Sequence, residues 1–357
     1  MYETQQLTKD SANHFFGYYG INPWDEPGRY HLALRTYFHR RPPLSNDTAE
    51  VGIVDRKTGS FRGVAKTKAF NFQQGSMLHW IKKDSDEQLT FNTWQENETV
   101  THTYSLSHDS TTVLEKAIAA VSPSKLQAIG LNYARMYHCR SVVGYTNHRS
   151  SRKLISSPDD DGLFAINLNT GKADLIVSLA QVANISLPKI YSDHLVWFNH
   201  VMFNTDGSRL LFFCRVLRTD GQRFLDSLWT VCPDGSELSL EISFKHKVSH
   251  YAWMNNHKIL ASTDILGSMQ FVTFSVNQHN FRPFGRGVLP TDGHPSFSPD
   301  HRWLVCDTYP SKLNRESTVL LYEIDSGKRI DIGKFFSESI FSGDIRCDLH
   351  PRWHNFN

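Results

Sequence analysis

The chain has 357 residues, with 38 Lys and Arg against 36 Asp and Glu. A near-neutral balance with scattered basic residues argues against nucleic acid or a membrane surface as partner. No run approaches the roughly 18 apolar residues of a membrane-spanning helix, and no targeting segment is visible at the start, so a cytoplasmic location is expected, with a periplasmic or secreted one as the alternative if the N-terminus was trimmed.

From the N-terminus onward, short strand patterns alternate with turn residues. One recurring unit is a turn followed by an apolar strand. It occurs at Glu26–Leu34, Asp86–Asn92, Thr205–Phe213, Asn256–Ala261 and Ser298–Val305. A second unit, a strand running into an Asp/Asn–Gly turn, follows at Val51–Gly59, Gly162–Gly171, Leu228–Gly235 and Val319–Gly327. Gly supplies the positive φ such hairpins need, and alternation gives each strand two unlike faces. Copies recur every 45–60 residues or so, the period of a four-stranded blade, which predicts an all-β protein, a β-propeller forming one domain over 1–357. Six blades can be counted, and a seventh is expected to begin at His350-Pro-Arg-Trp353 and to be incomplete, unless the segment before Gly28 supplies its closing strands. Ser110–Ala120 has Ala and Leu at helical spacing and reads as the one helix, with strand and loop as the alternative. Arg149–Asp161, rich in Ser, Arg and Asp, reads as a solvated loop. Cys139, Cys214, Cys232, Cys306 and Cys347 form no CxxC pair and lie mostly in apolar runs, so free, buried thiols are expected.

In a propeller, loops from distant parts of the chain meet at the axis. His294, in Asp292-Gly-His-Pro-Ser-Phe-Ser-Pro-Asp300, and Asp348 with His350, in Arg346-Cys-Asp-Leu-His-Pro-Arg-Trp353, then form a first shell for a divalent cation, with Mn, Ca and Zn as the options. His14 and His79 occupy comparable places in earlier blades and are candidate substrate-binding residues. His200, in Trp197-Phe-Asn-His-Val-Met-Phe203, is the best single candidate for a base, because imidazole titrates near working pH. Arg215, Arg218 and Arg223 follow it, and a guanidinium fork matches a carboxylate. His250 and Tyr251 stand at the mouth of the next blade, Tyr251 as a candidate proton donor. Asp307-Thr-Tyr309 reads as a structural strand end. For each of these histidines the competing reading is a buried ring bonded to a neighbouring blade. No phosphate loop, GxSxG elbow or HExxH helix is present.

Five stretches in order carry a resemblance across nearly the whole chain: Asn13-His-Phe-Phe-Gly-Tyr-Tyr19, Asn199-His-Val-Met-Phe203, Ser249-His-Tyr-Ala-Trp253, and the two loops around His294 and His350. They resemble the oligogalacturonate-lyase-like propellers, which include polysaccharide lyases acting on uronic-acid polymers such as pectin fragments and ulvan. The resemblance implies seven blades, an acidic oligosaccharide or polysaccharide as substrate, and cleavage by β-elimination. It places the base at His200, carboxylate neutralisation on a metal or Arg215, and a metal-binding His at His294. The chain departs from such relatives where Phe213-Cys-Arg215 replaces a second His, and where Asp348-Leu-His350 is poorer in His. The alternatives are a non-catalytic binding propeller and a glycoside hydrolase on the same fold.

Overall fold

The computed structural model describes residues 3–83, 86–146, 154–220 and 222–354. Of the predicted 149–161 loop, residues 149–153 lie outside this set. The alternating segments pair as antiparallel meanders, giving six four-stranded sheets among the described residues. These blades span 13–67, 79–114, 118–178, 196–242, 248–283 and 296–336. Within each blade the strands lie in sequence order, so no connection crosses over another strand, and in blade 3 the second and third strands are joined by the long insertion 131–161. Apolar faces pack blade on blade. One buried cluster joins blades 1 to 4, centred on side chains such as Trp197, Trp229 and Phe91, and smaller ones join blades 4 to 5 and 5 to 6.

The all-β propeller is therefore present, but with six blades rather than the expected seven. The segment beginning at His350-Pro-Arg-Trp353 forms no strand. Residues 337–354 hold only a single 3-10 turn, Gly343–Ile345, and otherwise run as irregular chain between blade 6 and blade 1. Polar contacts dock them there. Gln73 donates to the Arg346 carbonyl at 2.9 Å, His39 Nε2 meets the Ile345 carbonyl at 2.9 Å, and Arg352 Nη2 donates to the Gly17 carbonyl at 3.0 Å. The His39 ring stacks on Phe341, 4.4 Å between centroids. Nor does the N-terminal segment complete the last blade, since Asn13–Phe15 pairs with Tyr30–Thr36 inside blade 1.

The predicted helix at Ser110–Ala120 is instead two strands, Ser110–Leu114 and Ile118–Val121, in blades 2 and 3. Tertiary pairing overrides the helical spacing of Ala and Leu. Two helices form elsewhere, α1 (Tyr133–Cys139) and α2 (Leu179–Ser186). Each starts at a side-chain cap: Asn132 accepts from the Arg135 N–H, and Ser178 from the Gln181 N–H. Arg135 anchors α1 by bonding to Asp161 at 2.8 Å and to the carbonyls of Val196 and Ile155. No helix among the described residues is long and apolar enough to cross a membrane. The five cysteines are free, with Cys139, Cys214 and Cys306 buried, Cys232 half-buried and Cys347 exposed.

His79 begins the first strand of blade 2, buried, with Nδ1 on the Met77 carbonyl at 2.9 Å. Burial depresses its pKa from the ordinary 6.5 to about 3. The unfolded chain takes up this proton below its own pKa and the folded chain does not. Stability is therefore complete above about pH 6.5 and is lost as pH falls toward the folded value. Between pH 7 and 5 this one group is expected to remove about 2 kcal/mol. Urea titrations should show that part of the acid sensitivity vanish in His79→Phe.

Candidate active site

A cavity of about 470 Å³ opens where the blades converge. Blades 4 and 5 reach it through irregularities in their first strands. Strand Val196–Phe203 slips register between Asn199 and Met202, and Val248–Trp253 slips between Val248 and Tyr251. A bulge re-aims the side chains it carries, which places Asn199, Ser249 and His250 on the cavity wall.

His250 is held by a carboxylate. Its Nδ1 donates to Asp292 Oδ1 at 2.8 Å, and the Ser249 hydroxyl donates to Asp292 Oδ2 at 2.7 Å. With Nδ1 committed, Nε2 is the basic nitrogen, 3.5 Å from the Tyr309 hydroxyl. Burial would raise the Asp292 carboxyl, but His250 and Ser249 hold it down at about 2. Burial lowers the His250 pKa, and Asp292 opposes that shift. The imidazole thus stays neutral and available as a proton acceptor.

Beside it, His294, Asp348 and His350 bring one ligand atom each within 4.8 Å of one another. Asp307 organises both imidazole loops. It accepts from the His294 backbone N–H at 2.8 Å, from His294 Nδ1 at 2.9 Å, and from the His350 backbone N–H at 3.2 Å. His350 Nδ1 donates to the Gly17 carbonyl at 3.1 Å, leaving a buried Nε2 with no hydrogen-bond partner. Each imidazole has its Nδ1 occupied, and His294 Nε2 lies 4.0 Å from Asp348 Oδ2, which matches the way metal-binding His is oriented. Asp348 accepts from Arg346 Nε at 2.8 and 3.0 Å. The donor set, two imidazole nitrogens and a carboxylate, fits a divalent cation.

Two glycines make this packing possible. Gly17 has φ of +146°, and a Cβ there would stand 2.6 Å from the Gln74 carbonyl oxygen. A Cβ on Gly293 would stand 2.2 Å from the Asp307 carbonyl oxygen and 2.9 Å from Cys306 Sγ. Gly293→Ala is expected to destabilise the fold by about 2–3 kcal/mol through overpacking. It should also loosen divalent-ion retention, read by thermal melts and by metal content after dialysis.

Much of the remaining wall is basic. Arg215 pairs with Asp226 at 3.0 Å, both buried, and Arg223 reaches the same carboxylate at 3.4 Å. Arg140, from the turn after α1, and Arg346 also line the cavity, as do Tyr18 and Tyr309.

The structure brings together His250, Arg215, Arg223, His294 and Asp348 on the wall, with His350 in the adjoining cluster. It does not bring the other candidates there. His200 is closed off from the cavity, its ring stacked on Tyr251 at 4.5 Å and met edge-on by Tyr18 at 4.6 Å and Tyr19 at 5.0 Å. Neither of its ring nitrogens has a hydrogen-bond partner, and burial holds its pKa well below 6.5. The Tyr251 hydroxyl is spent on the backbone carbonyls of His200 and Leu211, so it faces away from any substrate. Arg218 pairs with Asp220 on the surface. His14 packs on Phe61, and His79 bonds within its own blade.

Sequence reasoning passed over Tyr18, Arg140, Asp292, Asp307, Tyr309 and Arg346 as functional residues. Tyr18 lay inside the quoted His14–Tyr19 motif, and Asp292 and Arg346 opened the two quoted loops. Asp307-Thr-Tyr309, read as a structural strand end, supplies both a ligand-orienting carboxylate and a wall hydroxyl.

No protein-family model matches the chain, and no curated protein does. Solved propellers do match it. Oligogalacturonate lyase from Vibrio parahaemolyticus superposes with a TM-score of 0.64 at 12% identity, covering 97% of this chain and 86% of its own. An oligogalacturonate lyase in complex with manganese gives 0.65 at 12% identity, over 97% and 85%. Puromycin hydrolase gives 0.52 at 9% identity, over 89% of this chain and 47% of its own. Likeness at these identities establishes the propeller fold, and function has to be argued from the site.

Proposed function

We propose that this protein is a lyase that cleaves a uronic-acid-containing oligosaccharide by β-elimination. The observation that carries the proposal is His250, its Nδ1 fixed on Asp292 and its Nε2 near the Tyr309 hydroxyl, on the wall of a cavity that arginines and a His/Asp cluster also border. The reaction needs a base, a group that neutralises the carboxylate next to the departing proton, and a donor for the leaving oxygen. His250 Nε2 takes the proton α to the carboxylate. The electrons of that C–H bond form the new C=C bond as the neighbouring C–O bond breaks, and the leaving oxygen is protonated. Tyr18 suits the donor role. Burial raises its pKa to about 12, so it keeps its proton at neutral pH, and it lines the cavity. His294, Asp348 and His350 would hold a divalent cation, which when bound supplies Lewis acidity toward the substrate carboxylate. Arg215, stiffened by Asp226 and stacked between Phe213 and Phe224, adds fixed positive charge.

Glycoside hydrolysis is less well supported, because it needs a carboxylic acid that holds its proton. Asp292, on the cavity wall, is held ionised by His250. Incubation with defined uronate oligomers is expected to yield an unsaturated product absorbing in the ultraviolet. Cleavage without that chromophore would point to hydrolysis. Absence of both cleavage and retained divalent ion would favour a binding propeller.

A further inference from the structure

Three guanidinium groups surround a single ring. The Cζ atoms of Arg215, Arg140 and Arg223 lie 4.6, 5.0 and 5.1 Å from the centroid of Phe224, and Trp197 braces that ring edge-on at 5.6 Å. Asp226 serves Arg215 and Arg223. Arg140 makes no close ion pair of its own among the described residues and shares Asp226 only at longer range, so one carboxylate faces three guanidinium groups. The segment 147–153, Asn-His-Arg-Ser-Ser-Arg-Lys, contains no acidic residue. The position of Arg140 is nonetheless fixed, because its backbone N–H closes α1 on the Met136 carbonyl at 2.7 Å. Three guanidinium groups against one carboxylate leave net positive charge at a half-buried site, which favours an anion. Burial, together with Arg215, Arg223 and Arg346, lowers the Arg140 pKa to about 10, so it remains charged at neutral pH. A separate feature points into the same space. Asn199 lines the cavity, 2% exposed, and its Oδ1 has no hydrogen-bond partner, as expected of a group waiting for a ligand hydroxyl.

The cluster around Phe224 comes from blades 3 and 4, whereas His294, Asp348 and His350 come from blade 6 and the tail behind it. Both groups border the same cavity, and the segment after Arg140 touches the tail, where Ser141 Oγ donates to Asp344 at 2.7 Å. A cavity of about 470 Å³ is within the usual range for a small-molecule ligand. We infer that Arg140, with Arg223 and Arg215, receives a second oxyanion of the substrate, carried by the sugar next to the uronate that reacts. That oxyanion is the carboxylate of an adjoining uronate or a sulfate ester on an adjoining neutral sugar. The inference rests on the lyase reading for the place of the first carboxylate.

The test is calorimetric titration in a His250→Ala background, which prevents turnover. The probes are three disaccharides bearing a uronate beside a second uronate, a neutral sugar, or a sulfated neutral sugar. One of the doubly charged probes is expected to bind at least tenfold more tightly than the singly charged one, and which of them does so identifies the oxyanion. Adding Arg140→Gln should remove most of that preference, while Arg140→Lys, which lacks the fork, restores only part of it. Arg223→Gln, at a half-exposed side chain, should act in the same direction and guards against misfolding of the first variant. Equal binding of all three probes, or a preference that survives Arg140→Gln, would overturn the inference. If no probe binds, the inference and the lyase reading fall together. If the preference is present and depends on Arg140, yet the wild-type protein releases no unsaturated product, only the lyase reading falls.

Discussion

His250→Ala is expected to lower kcat on uronate oligomers by about three orders of magnitude, within the range that a positioned base contributes. The variant should fold, because the ring lies at the cavity edge rather than among the buried apolar clusters. Asp292→Asn tests the orientation separately. The amide keeps the shape but loses the charge that fixes the proton on Nδ1, so kcat should fall with little change in substrate binding. His200→Phe is the informative control. That ring lies against Tyr18, Tyr19 and Tyr251 with no polar partner. A phenyl ring there should leave kcat within about threefold, since only the tyrosine packing is retained or lost. A loss as large as that of His250→Ala would return the base to His200.

The second large effect is expected at Asp307. This carboxylate, 1% exposed, receives the backbone and ring N–H of His294 together with the His350 backbone N–H. Asp307→Ala removes all three acceptor contacts and leaves the donors buried. Affinity for Mn²⁺, the ion held by one structural neighbour, should fall about 10- to 100-fold, the usual penalty for losing a carboxylate behind a metal-binding imidazole. Stability should fall by about 3 kcal/mol, because buried donors left unpaired carry their full desolvation penalty. Titration calorimetry with Mn²⁺ and urea denaturation read the two effects separately. Undiminished Mn²⁺ affinity would remove Asp307 from the account of the cluster.

The blade repeat was legible because each copy writes the same turn and the same alternation into local sequence. The His294/Asp348/His350 grouping was legible for a related reason, since both loops place a His directly before a Pro. The basic wall was only half legible. Arg215 and Arg223 follow a strand that could be seen, whereas Arg140 arrives on an insertion whose helix is seven residues long and marked mainly by its Asn132 cap. Asp307 looked structural because a strand end is where polar residues normally sit, and its partners lie 13 and 43 residues away. His200 and His250 were indistinguishable by type and neighbours. Only the stacking of one ring and the carboxylate behind the other separate them. The last blade, expected to be incomplete, contributes no strand among the described residues, because a His-Pro motif signals a loop and residues 350–354 run as irregular chain.

The seam between blade 6 and blade 1 is closed by docking of an irregular tail, not by strand pairing across it. That same tail carries Asp348 and His350 into the centre. The one segment thus contributes both to the seam and to the site, and thermodynamic linkage makes the two effects reciprocal. Whatever binds at the centre acts as a clasp on the whole ring. Each tenfold rise in free ligand above its dissociation constant should add about 1.4 kcal/mol to the stability of the closed ring. An untethered tail should in turn release ligand as fast as the seam can open.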